Sequence, residues 1–172
     1  MNLLIKSPLR FSLIAIVFVI LMFFILIFLD KNPVIYSSNI IFIGPLLSIF
    51  LFFSIKVFRD TDGLRFWQGF SIGILYTLFF TLFYSIVLWA DATLFETDHF
   101  DEYRAMIIEK IIAGKDMLVD KMGEEGYQDY LKSGESSNGR IIGSLAFNNI
   151  IIGALVTPLI SLFMRTSEAE RL

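Results

Sequence analysis

The sequence predicts an all-α integral membrane protein with four transmembrane helices and an amphipathic helical insert between the third and fourth. Three observations predict it. Four apolar runs, at about residues 11–29, 34–55, 68–90 and 141–164, approach the twenty residues needed to cross a hydrocarbon core of about 30 Å. Apolar residues make up 56% of the 172 positions, and nineteen are Phe, so too little polar sequence remains for a second soluble domain. Basic residues gather at alternate ends of the runs, as the positive-inside rule requires of a multi-pass chain.

The first run has Ser12 as its only polar side chain. Phe, Ile and Val favour strands in water, but in lipid each segment must satisfy its own backbone groups, so these runs are helices. Lys6 and Arg10 precede the run in the manner of a secretory signal. It is longer than a signal core of roughly 7–15 residues and ends in Leu29, Asp30 and Lys31 without a small-x-small site, so it is expected to stay as an anchor. With no Cys, disulfides and thiolate metal sites are excluded.

Lys6 and Arg10 stand before the first span, Lys56, Arg59 and Arg65 between the second and third, and Arg165 and Arg171 after the fourth. Only Lys31 and Arg140 flank spans on the opposite side. Both termini are therefore expected in the cytoplasm and the insert outside it. The second span reaches full length only if it begins at Val34, which puts Gly44 and Pro45 inside it and predicts a kink or break there. The third is bounded by Trp67 and Trp89, about 33 Å apart along a helix, the spacing of two interfacial anchors.

The insert, residues 91–140, carries twelve acidic and six basic side chains. A helix is expected over about 99–122, with Asp98 as N-cap and Asp101 and Glu102 in its first turn. Phe100, Tyr103, Ile107, Ile111, Gly114 and Leu118 recur at three and four residues, an apolar stripe that something must cover. Gly123, Gly126 and the SGESSNG stretch at 133–139 are expected to break regularity, with a short helical turn around 127–131 between them.

Two ladders of small and hydroxyl residues mark the third and fourth spans: Gly69, Gly73, Thr77, Thr81 and Ser85, then Asn149, Gly153, Thr157 and Ser161. Such residues let helix backbones approach and bond across the contact, so these are candidates for helix packing; a polar pore lining is the alternative. A four-residue step overshoots a full circle by about 40°, so five steps on a straight helix cannot all face one neighbour. Asn148 and Asn149 point about 100° apart, so only one of them serves a bundle contact. The span cores hold no Asp, Glu, Lys, Arg or His, the usual marks of proton relays and ion-coupled transport.

Outside the spans, Glu96, Asp98, His99, Asp101 and Glu102 gather around the only histidine. Their spacing fits neither a calcium loop nor a zinc motif, so no metal is expected there. Neither a nucleophile elbow nor a phosphate loop occurs, and neither catalysis nor a cofactor is expected. Nothing in the charge pattern suggests nucleic acid.

At the entry to the third span the chain reads Phe66-Trp67-Gln68-Gly69-Phe70-Ser71-Ile72-Gly73. With four spans, a basic loop before this segment and an acidic insert before the last span, it resembles a family of small four-helix membrane proteins of unknown function, mostly from Bacteroidetes. The family pattern is roughly Phe-x-Gln-Ala-Phe-x-x-Gly, and Gly69 keeps a small residue at the Ala position. The resemblance implies an inner-membrane location and supplies no ligand or catalytic residue. Gln68 is expected to act as a structural lock at the inner interface. The functional expectation is a non-enzymatic membrane component that offers the insert stripe (Phe100, Tyr103, Ile107, Ile111, Leu118) to another membrane or periplasmic protein or to a second copy, unless that helix lies on the outer leaflet or folds over the mouth of the bundle. The alternative is an oligomeric channel or carrier lined by Thr77, Thr81, Ser85 and Asn149.

Overall fold

The computed structural model describes residues 3–94 and 98–166, so Glu96 and Arg171 lie outside the described residues. Seven helices occur among them: α1 (Leu3–Phe28), α2 (Pro33–Ser37), α3 (Ile40–Asp62), α4 (Phe66–Leu94), α5 (His99–Ala113), α6 (Lys115–Gly134) and α7 (Asn138–Phe163). The long helices α1, α3, α4 and α7 are apolar enough to cross a membrane and correspond to the four expected runs.

These four helices run alternately up and down. At one end, Ser7 at the start of α1 donates to the Ser54 carbonyl near the end of α3 at 2.7 Å. At the same end Leu64, just before α4, and Thr166, just after α7, exchange two bonds: Leu64 N–H donates to Thr166 Oγ1 at 2.7 Å and Thr166 N–H to the Leu64 carbonyl at 3.0 Å. The opposite end carries α2, α5 and α6 as a cap.

The core is built around α4. Tyr76, Phe80 and Tyr84 recur at four residues, so they share one face of the helix and stack with ring centroids 6.1 and 6.0 Å apart. All three are buried, together with Ala15 and Val19 of α1 and Leu47 and Leu51 of α3. Ala15 and Val19 show that α1 is more than an anchor: one face packs on α4 and α3, while Phe18, Phe24 and Phe28 remain exposed for lipid. Lipid tails are as apolar as such side chains, so tight packing rather than water exclusion sets which face turns inward.

The structure corrects three local expectations. The second run breaks at Ser38–Asn39 rather than at Gly44 and Pro45, because Asn39 caps α3 by accepting the Ile41 N–H at 3.0 Å. The helix continues through Pro45, its sixth residue, where the missing donor leaves one intrahelical bond unmade. In the insert, the expected single helix at 99–122 is two, turning at Gly114, and the second runs on to Gly134. Gly123 keeps a positive φ of 76°, a local kink inside α6, yet Gly126 and residues 127–131 stay helical. Packing decides this, since Gly134 is buried where an added Cβ would lie 3.1 Å from Ile108 Cγ1. Finally, Asp98 precedes α5, but its side chain makes no cap bond; only its carbonyl accepts, from Glu102 N–H at 2.9 Å.

Candidate functional site

The two small-residue ladders face each other. Because α4 and α7 are antiparallel and both step by four, one register brings Gly69 opposite Ser161, Gly73 opposite Thr157 and Gly153 opposite Thr77. A Cβ on Gly73 would lie 2.7 Å from Thr157 Oγ1, and one on Gly69 3.1 Å from Ser161 Cβ. A Cβ on Gly153 would overlap the Thr77 methyl and hydroxyl. Each threonine thus fills the space that the opposing glycine leaves empty, the close backbone approach that small residues permit in membranes.

Gly69, Gly73, Thr77 and Thr81 are buried, as are Asn149, Gly153, Thr157 and Ser161. Ser85, the fifth step, is only half-buried and turns back to donate to the Thr81 carbonyl at 2.9 Å. Thr77 likewise donates to its own helix, to the Gly73 carbonyl at 2.9 Å. Asn149 is 2% exposed, whereas its neighbour Asn148 is exposed, the division that a 100° step imposes. Polar atoms of Tyr76, Thr81, Asn149, Thr157 and Ser161 are buried without a hydrogen-bond partner among the described residues.

At the entrance to α4, Gln68 is the third helical residue and its Oε1 accepts the Arg65 N–H at 2.9 Å. This is the back-reaching half of a capping box, which ties the helix start to the preceding residue. Phe66, Trp67 and Phe70 pack ring on ring around it. Trp67 and Trp89 are exposed at the two ends of α4, where anchors belong. Gln68→Ala is expected to lower stability by about 1 kcal/mol, the usual worth of a helix cap. Gln68→Glu, which keeps the acceptor, should unfold like the parent in a detergent titration.

A family model for proteins of unknown function, DUF4199, matches residues 10–166. The chain belongs to the DUF4199 family. The matched range takes in most of α1 and the whole of α3, α4, α7 and the cap, as the resemblance at residues 66–73 implied. No curated protein and no solved structure matches the chain.

In this DUF4199 chain Asp91, Asp101 and Glu102, carboxylates near His99, have structural partners, whereas the Asp98 side chain makes no cap bond. The His99 ring meets Asp91, at the end of α4, with Nδ1 3.1 Å from Oδ1, and Asp91 is buried. Asp101 pairs with Arg104, whose Nη1 also donates to Asn138 Oδ1 at 2.6 Å. Glu102 Oε2 accepts from Asn32 Nδ2 at 2.8 Å, and the same amide group donates to the His99 carbonyl at 2.8 Å. Asn32 Oδ1 caps α2 by accepting the N–H groups of Val34 and Ile35. One asparagine therefore joins α2 to α5. Its role went unread in the sequence, although Asn followed by Pro33 is a helix-start signal. Ser37 was also missed: its hydroxyl lies 2.9 Å from Tyr84 Oη, linking α2 to the aromatic column of α4.

The insert stripe is largely covered by the chain itself. Phe100 and Ile111 are buried, and Tyr103, Ile107 and Leu118 are half-buried. Their cover comes from α2 and from α6, whose Gly134 rests on Ile107, Ile108 and Ile111. Exposed apolar residues lie elsewhere on the cap: Ile112 and Met117 beside the Gly114 turn, 54% and 59% exposed, and Met122 at the Gly123 kink, 44% exposed.

Proposed function

We propose that this protein is a non-enzymatic, multi-pass component of a bacterial inner membrane, with both termini cytoplasmic, that presents its extracytoplasmic cap to a membrane or periplasmic protein. A second copy of the chain is the other partner considered. The distribution of Lys and Arg at the span ends supports the orientation. The observation that carries the contact role is the exposure of Ile112 and Met117 beside the Gly114 turn and of Met122 at the Gly123 kink of α6. Grouped exposed apolar side chains are a usual mark of an interaction surface, and methionine adapts to an irregular partner. The partner surface thus moves from the stripe, which the chain covers, to the tip of the cap.

In-cell photo-crosslinking from positions 117 and 122 tests this reading. Adducts with one protein, or with the chain's own dimer, are expected, and position 111 should give intramolecular products. Only lipid adducts from 117 and 122 would sink the proposal.

The second reading, an oligomeric channel or carrier, is favoured by the unpartnered polar atoms of Thr81 and Asn149 between α4 and α7. The close fit of Gly73 on Thr157 and of Thr77 on Gly153 opposes a path between these helices within one chain. Reconstituted vesicles that show no ion or small-solute flux would remove this reading.

A further inference from the structure

Two cavities follow one another along the outward half of α7, at the capped end of the bundle. The first, about 300 Å³, lies between α5, the end of α6 and the first turns of α7. Arg104, Arg140 and Ser144 line it, and the lining holds no carboxylate. Arg104 is compensated by Asp101, which lies outside the lining, while the side chains of Arg140 and Ser144 make no hydrogen bond or ion pair with a described residue. Burial pushes the Tyr103 hydroxyl in the wall above its usual pKa, so it stays protonated. The free amide groups at the start of α7 add positive potential to that of the uncompensated Arg140 guanidinium.

The second cavity, about 260 Å³, is one turn further along α7. Ile43, Leu145 and Ile152 give it apolar walls, and Asn148 and Asn149 line it. Asn149 is 2% exposed and its Nδ2 donor has no partner, although it borders this space. An unsatisfied amide donor in an apolar surrounding costs about 1–3 kcal/mol, so a ligand oxygen is the group that would relieve it. Ser144, in the lining of the first cavity, is five residues from Asn149, about 7.5 Å along the helix.

We infer that α7 and the cap bind a phosphate-bearing lipid, with its phosphate between Arg104 and Arg140 and an acyl carbonyl oxygen accepting from Asn149 Nδ2. Guanidinium groups recognise phosphate oxygens by paired, charge-assisted bonds, and Ser144 supplies a hydroxyl donor beside them. The apolar walls of the second cavity take the start of the acyl chain. A free phosphate ion shares the head chemistry but leaves Asn149 unpartnered, and this difference separates the two sources. The site is distinct from the exposed tip proposed above as a protein contact, and neither depends on the other.

The test uses the full chain in a mild maltoside detergent and three probes: dioctanoyl phosphatidylglycerol, dioctanoylglycerol without phosphate, and inorganic phosphate. Binding is read as a saturable rise in unfolding temperature. Phosphatidylglycerol is expected to bind at least tenfold more tightly than either other probe. Arg140→Gln, at an exposed position that should fold normally, is expected to weaken it at least tenfold, and Arg140→Lys to weaken it less. Equal binding of dioctanoylglycerol, or no change in Arg140→Gln, would overturn the site. Inorganic phosphate binding as tightly as the lipid would overturn the lipid assignment.

Discussion

Gly73→Ala is expected to loosen the α4–α7 seam and lower stability by about 1–3 kcal/mol, the usual cost of overpacking a closed contact. The added methyl would meet Thr157, with Oγ1 at 2.7 Å and Cβ at 3.1 Å. In water part of that cost would be offset, because Ala is a better helix former than Gly. In a bilayer the separated helix is already formed, since lipid offers its backbone no alternative partner, so this gain drops out. Thr157→Ala removes the methyl and hydroxyl that collide and leaves only the 3.1 Å neighbour. The double variant Gly73→Ala, Thr157→Ala should therefore recover much of the loss. Gly143, on the exposed side of α7 with nothing within 4 Å of an added Cβ, is the control. Gly143→Ala should change stability by less than about 0.5 kcal/mol, as exposed substitutions generally do. Unfolding in mixed micelles titrated with dodecyl sulfate measures all four proteins. Equal losses at positions 73 and 143, or no recovery in the double variant, would refute the register.

The cap should come loose when Asn32 is replaced. Asn32→Ala removes the acceptor for Val34 and Ile35 and both donations to α5. A lost N-cap costs about 1 kcal/mol and each solvent-accessible tertiary bond about 0.5–1 kcal/mol, so roughly 2 kcal/mol of local stability is at stake. At 1.4 kcal/mol per factor of ten, amide exchange in α5 should accelerate about thirtyfold. The exchange of α4 and α7 should hardly change, because their seam is built from other residues. Asn32→Asp separates the two roles. A carboxylate still caps α2, but it cannot donate to the His99 carbonyl and it repels Glu102. Fast exchange in α5 with α2 still protected is the expected pattern. Unchanged α5 exchange in Asn32→Asp would show that His99, Phe100 and Arg104 hold the cap alone.

Much of the bundle was legible in the chain. A run such as 11–29 needs no knowledge of its neighbours to be recognised as a helix long enough to span. The two ladders were legible too, by their shared four-residue step; that they meet each other, and in which register, appears only in the structure. The limit set by helix geometry also appears, in Ser85 being only half-buried at the fifth step. The joints of the cap were not legible. Asp91 and His99 are eight residues apart, and Asn32 and Glu102 seventy; no periodicity relates them. The stripe at Phe100 and Ile111 was legible as an apolar face, but its contacts with Gly134 and α2 were not.

The sequence by itself determined four apolar helices, their order and the small faces on two of them, because lipid obliges each span to satisfy its backbone within the segment. The turn at Gly114, the partner of each ladder and the surface left exposed at Met117 and Met122 were decided by tertiary structure. Each of those outcomes depends on contacts between residues distant in the chain. Side-chain packing, unlike backbone hydrogen bonding in a membrane, has no local solution.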